Sequence, residues 1–96
     1  MLSNKESLII GLLAERGEMY GLELVAASDG ELKRGTVYVT LARMEEKGYV
    51  VARAPKRDPH EPGLARPRYR PTALGLRLLQ ASQAVAAAFH PRKRNA

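Results

Sequence analysis

Midway along this chain the hydrophobic period changes, and that change restricts the fold more than any other feature of the sequence. Up to Gly48 the apolar residues recur at helical spacing. From there Tyr49-Val50-Val51-Ala52-Arg53 is short, β-branched and aromatic, and reads as a strand. Pro55, Pro59, Pro62 and Gly63 break the next stretch into a loop. Arg68-Tyr69-Arg70 alternates basic and aromatic side chains and reads as the returning strand. A β-hairpin with a long basic tip therefore interrupts an otherwise helical chain.

The segments around it have helical signatures. Ser3 and Glu6 form a capping-box pattern, and Leu8/Ile9 and Leu12/Leu13 repeat four apart. A first helix is expected from about Asn4 to Arg16, stopping near Gly17. Tyr20 and Leu24, with Leu22 and Val25 beside them, mark a short second helix ended by Ser28-Asp29-Gly30. A third begins close to Arg34 or Gly35. Val37, Leu41 and Met44 form its buried stripe, and Thr36, Val39, Thr40, Arg43 and Lys47 its other face. Gly48 suits a left-handed C-cap. After the hairpin, Thr72 is placed to N-cap a last helix. Leu74, Leu78, Ala81, Val85 and Phe89 mark one face of that helix, widened by Leu76 and Leu79. Gly75 in its first turn costs about 1 kcal/mol relative to alanine, and a close neighbouring backbone is a reason to keep it.

With 96 residues, this is one domain, mainly α with a small β-hairpin. Three helices followed by a two-stranded wing is the winged helix-turn-helix plan. It is expected over residues 1–71, with a C-terminal dimerisation helix over 72–90 and a basic tail over 91–96. The last helix is assigned to dimerisation because its apolar face is wide for a chain already packed around three helices and a hairpin. Leu78, Leu79, Val85 and Phe89 would supply that interface, joined by Leu8 and Leu12 of the first helix.

The formal charge is +6, and its distribution says more than its total. Residues 1–32 set Lys5 and Arg16 against Glu6, Glu15, Glu18, Glu23, Asp29 and Glu31, a net of −4. Residues 52–70 set Arg53, Lys56, Arg57, Arg66, Arg68 and Arg70 against Asp58 and Glu61, a net of +4. Arg92, Lys93 and Arg94 follow in the tail. Such asymmetry points to an anionic partner, and a polyanion is the usual one. No cysteine is available for disulfides, thiolate metal sites or nucleophilic catalysis. His60 and His90 are isolated, so no metal site and no general base is indicated. No nucleophile–base pair or glycine-rich phosphate loop is present. The expectation is a protein that is not an enzyme and needs no cofactor. No apolar stretch reaches the length of a membrane span and the N-terminus does not read as a signal peptide, so a cytoplasmic location is expected.

Several segments, in order, resemble the PadR family of transcriptional regulators. Ile9-Ile10-Gly11-Leu12-Leu13 is similar to its "LGLL" opening, and Gly21-Leu22-Glu23-Leu24 to its "GYEL" segment, with Leu22 for the tyrosine. Gly35-Thr36-Val37-Tyr38 resembles the Gly-Thr-Leu-Tyr that starts the family's recognition helix, with Val39 where a proline is usual. The run Leu41 to Val50 resembles "L-x-R-L-E-x-x-G-L/Y-I/V". Arg66-Pro67-Arg68-Tyr69 and Thr72-Ala73-Leu74-Gly75 are similar to the wing return strand and the "T-x-x-G" opening of the next helix. The likeness covers roughly residues 8–80. It implies a double-stranded DNA-binding regulator, a repressor more than an activator, working as a homodimer on a palindromic operator. The family's often longer C-terminal helical region is a single helix and a tail here, which speaks against effector sensing. With no tryptophan and one Phe, an aromatic effector pocket is not indicated either.

The residues fit this role chemically. Thr36, Thr40 and Arg43 share an exposed face, and an arginine there pairs with guanine O6 and N7 or stays solvated or paired with Glu46. Lys33 and Arg34 stand at a helix N-terminus, where free N–H groups also favour phosphate. Tyr38 has two readings: a phosphate hydrogen bond, as the resemblance implies, or a half-buried ring. Arg53, Lys56, Arg57, Arg66 and Arg68 of the hairpin would follow DNA backbone or minor groove. The alternative is a protein-interaction module whose basic winged surface takes an acidic protein partner. Steep weakening by salt separates the first from the second.

Overall fold

The computed structural model describes residues 1–53 and 66–89. Their elements follow the order α1 (Asn4–Arg16), β1 (Met19–Tyr20), α2 (Gly21–Ala27), α3 (Arg34–Glu46), β2 (Val50–Arg53), β3 (Arg68–Pro71) and α4 (Ala73–Phe89). The hairpin tip with its three prolines, including Lys56, Arg57 and His60, lies outside the described residues, as do His90 and the basic tail.

Each helix end is fixed by the residues that announce it. The Ser3 hydroxyl accepts from the Glu6 N–H at 3.1 Å, and the Glu6 carboxylate accepts from the Ser3 N–H at 2.8 Å, closing the capping box of α1. Gly17 ends that helix at φ 85°. At the end of α3, Gly48 adopts φ 81°. Its N–H donates to the Glu45 carbonyl at 3.0 Å, and the Tyr49 N–H to that of Met44 at 2.8 Å. This pair is a Schellman motif, which only a residue tolerant of positive φ completes without strain. It turns the chain out of the helix and into β2.

Val37, Leu41 and Met44 are buried as their spacing requires, against Ile9, Ile10 and Leu13 of α1 and Leu24 of α2. Val50 and Tyr69 bring the sheet into the same core.

Two expectations are corrected. The sheet has three strands, in the order β1-β3-β2, all antiparallel, where the hairpin alone was expected. Met19 pairs with Tyr69 and Tyr20 with Arg68, so Tyr20 belongs to an edge strand ahead of α2 rather than to the helix. A two-residue strand is too short to show alternation, and its partner lies far along the chain.

The second correction concerns α4. Its inner side starts at the buried Gly75 and continues through Leu78 and Leu79, with Leu76 also packed on the core. Leu74, Val85 and Phe89 are 42%, 42% and 78% exposed, and Ala81 is exposed too. The stripe read from the sequence does keep to one side of the helix, but only its first half meets the core: every residue from Gln83 to Phe89 is exposed. Gly75 decides which side faces inward: a Cβ there would press on the carbonyl oxygen of Tyr49. Thr72 caps α4 as expected, its hydroxyl accepting from the Gly75 N–H at 3.0 Å.

Candidate nucleic-acid interface

The arrangement of α3 follows from what it buries. Only Val37, Leu41 and Met44 of the helix are buried, so the remainder of its surface is open. Thr36 and Arg43 are exposed and Thr40 is half-buried. The Thr40 hydroxyl donates to the Thr36 carbonyl at 3.2 Å, which turns its proton onto its own helix. Among the described residues Arg43 makes no ion pair, with Glu46 or any other carboxylate. Its charge stays available to an incoming acceptor.

At the other end of that face, Lys47 reaches across to Glu6 of α1 at 3.0 Å. Glu6 is buried; its carboxylate accepts from the Ser3 N–H and the Lys47 ammonium, and its own N–H donates to the Ser3 hydroxyl. Burial pulls its carboxyl upward, but these contacts outweigh it and hold the group below its ordinary value of 4.5. The pair ties the N-terminus of α1 to the C-terminus of α3.

The N-terminus of α3 is different. Lys33 is its cap residue, and no side chain caps it, whereas Ser3 and Thr72 cap α1 and α4. Its first N–H groups are left to an outside acceptor. Lys33 and Arg34 are both exposed beside them. Tyr38 has one packed side and one open side. Its ring lies against Gly21, where a Cβ would collide with it, and the residue is still 42% exposed.

The base of the hairpin forms a row of cations. Arg53 and Arg68 are direct cross-strand partners, a repulsive arrangement unless each is compensated. Arg53 pairs with Glu18 at 3.1 Å. Arg68 stacks over the Tyr20 ring, 4.9 Å from its centroid. The segment 18–20, which ends in the unforeseen strand β1, supplies both compensations. Arg66 is exposed just before β3. Lys56 and Arg57 fall on the undescribed tip.

The residues assigned to pairing divide into two groups. Leu12 is buried and Leu8, Leu78 and Leu79 are half-buried, all packed on the chain's own core. Val85 and Phe89 project from the distal half of α4. Between α1 and α4 runs an open groove of about 970 Å³, lined by Leu8 and Leu12 on one wall and Leu76 and Leu79 on the other. Among the described residues no group of acidic, histidine or cysteine side chains could hold a metal ion, and no helix is long and apolar enough to cross a membrane.

Residues 9–81 match the Transcriptional regulator PadR-like family. Curated protein sequences give no match. Among solved structures, a PadR family transcription regulator from Clostridium difficile R20291 is 24% identical over 91% of each chain, with a TM-score of 0.74. One from Eggerthella lenta is 25% identical over 88% of this chain and 73% of its own, at 0.72. Bacillus subtilis PadR, solved in complex with operator DNA, is 19% identical over 100% of this chain and 51% of its own, at 0.69.

Proposed function

Because this chain belongs to the PadR-like family of transcriptional regulators, we propose that it binds double-stranded DNA sequence-specifically, as a homodimer on a palindromic operator, and represses transcription in the cytoplasm. The observation that carries this reading is the open face of α3, which buries three residues, leaves Thr36 exposed beside an uncapped, cationic N-terminus and leaves Arg43 exposed in the last turn. That geometry suits a helix entering the major groove with its N-terminal end towards phosphate. Bacillus subtilis PadR, a protein of similar fold, has been solved in complex with operator DNA.

Roles follow from position. Arg43 pairs with a guanine edge, and Thr36 and Thr40 line the same face. Lys33, Arg34 and the Tyr38 hydroxyl hold phosphates. Arg53, Arg66 and Arg68, with Lys56 and Arg57 of the tip, track the backbone beside the wing. Val85 and Phe89 meet a second copy, and the groove between α1 and α4, walled by Leu8, Leu12 and Leu79 with Leu78 nearby, receives part of it. Nothing in the fold favours an acidic protein partner over DNA, and DNA binding of this kind calls for neither catalysis nor a cofactor.

Fluorescence anisotropy with duplexes from the protein's own promoter region tests the proposal. The expected result is binding that prefers particular sequences, falls steeply with salt, and weakens about tenfold or more in Arg43→Ala. Binding that is indifferent to sequence and to Arg43→Ala overturns the sequence-reading role. An affinity nearly insensitive to salt returns the acidic protein partner to first place.

A further inference from the structure

Val39 is 51% exposed in the middle of α3. It lies two residues from Val37 and two from Leu41, which places it about 200° around the helix from each of those buried side chains. It therefore stands opposite the core, on the line of α3 that any groove receiving this helix meets first. Neither packing nor helix propensity accounts for it. A valine held in water gains nothing from burial, and β-branching makes it a poorer helix former than most residues suited to an exposed position.

Its surroundings set what it can recognise. Gly35, one turn earlier, has open space where its side chain would be, and Ala42 on the next turn is exposed. Neither reaches beyond Val39. The hydrogen-bonding groups Thr36 and Arg43 stand to one side, and the Thr40 proton is committed to the Thr36 carbonyl. Along the line opposite the core, with Glu46 at its C-terminal end, the side chain at the middle of the helix is thus an isopropyl group. On the major-groove edge of B-DNA the apolar feature is the C5-methyl of thymine, and the other edge groups are donors or acceptors.

We infer that Val39 determines specificity by packing its isopropyl group on a thymine methyl, which places an A·T pair beneath the middle of α3. The inference rests on the DNA-binding reading proposed for this chain and names a chemical group that reading does not. Val39→Ala is expected to fold, since the position is exposed and alanine is a better helix former.

The test begins with selection of bound duplexes from a random pool. Each thymine of the selected site is then replaced singly by deoxyuridine, which removes the methyl and leaves pairing intact. The wild-type protein is expected to lose about fourfold in affinity at one thymine of each half-site, the worth of one buried methyl. In Val39→Ala that loss shrinks towards none, while other positions respond as before. A selected site whose deoxyuridine versions all bind as well as the parent overturns this inference and leaves the DNA-reading proposal standing. The same loss persisting in Val39→Ala also overturns it. Failure of the selection to enrich any sequence overturns the DNA-reading proposal, and the inference with it.

Discussion

Two residues show how single side chains fix this structure. Glu6 satisfies the cap of α1 and binds Lys47 of α3 from a buried position. Its carboxyl is held below 4.5, so the stability it contributes is present above the unfolded value and is lost as pH falls through the folded one. Glu6→Gln keeps an acceptor for the Ser3 N–H but removes the charge. The variant is expected to be less stable at neutral pH, with the difference from wild type narrowing as denaturation curves are taken below about pH 4.5. Gly75 acts through what it lacks. Alanine there gains helix propensity yet pushes on the Tyr49 carbonyl and on Ile10, so Gly75→Ala is expected to lose about 1–3 kcal/mol in urea denaturation. That glycine was legible in the sequence as an anomaly in a first helical turn. The partner that explains it, Tyr49, was not, because it comes from across a loop that the sequence gives no means of closing. Val39 was also legible as exposed, on the face opposite Val37 and Leu41. Its prominence required knowing that nothing packs around it.

At the level of elements, the helices were readable because each has both a period and a punctuation mark: Ser3 and Gly17 around α1, Gly48 after α3, Thr72 before α4. The strand β1 has neither. Its role came with the fold, which delivers Glu18 to Arg53 and Tyr20 to Arg68. How far along α4 the core reaches was not legible for a related reason. An alanine-rich helix has a weak stripe, and Leu74 and Leu78 look equivalent until Gly75 fixes the rotation. The distal half of α4 runs past the body of the domain, which leaves Val85 and Phe89 exposed, with little to support in the monomer. Replacing both by glutamate is therefore expected to leave the melting of the monomer nearly unchanged. For the proposed homodimer, sedimentation velocity should show pairs in the wild type and single chains in the variant, and operator affinity should fall on the order of 100-fold as bivalency is lost. A variant that stays paired would move the interface elsewhere.

For the molecule as a whole, acidic helices stand at one end of the sequence and basic strands at the other, and the two meet at the Glu18–Arg53 pair. In the two-fold dimer proposed above, built on α4, the two α3 helices would stand about 34 Å apart, one turn of DNA. That distance depends on how α4 is joined to α3, and the joint is compact. The Thr72 hydroxyl donates to the Gly48 carbonyl at 2.6 Å, and the Thr72 N–H donates to that of Tyr49 at 3.0 Å. The peptide that ends α3 is thereby clamped to the residue that starts α4. In mechanical terms this joint is the bracket of a pair of calipers, and the jaws open only as far as it yields. Thr72→Val keeps the volume and removes the hydroxyl's two hydrogen bonds. On duplexes whose half-sites are moved one or two base pairs closer or further apart, the variant is expected to discriminate spacing less sharply than wild type, with every base-contacting residue intact. The ruler for the operator would then lie in two carbonyl oxygens and a threonine, none of which touches DNA.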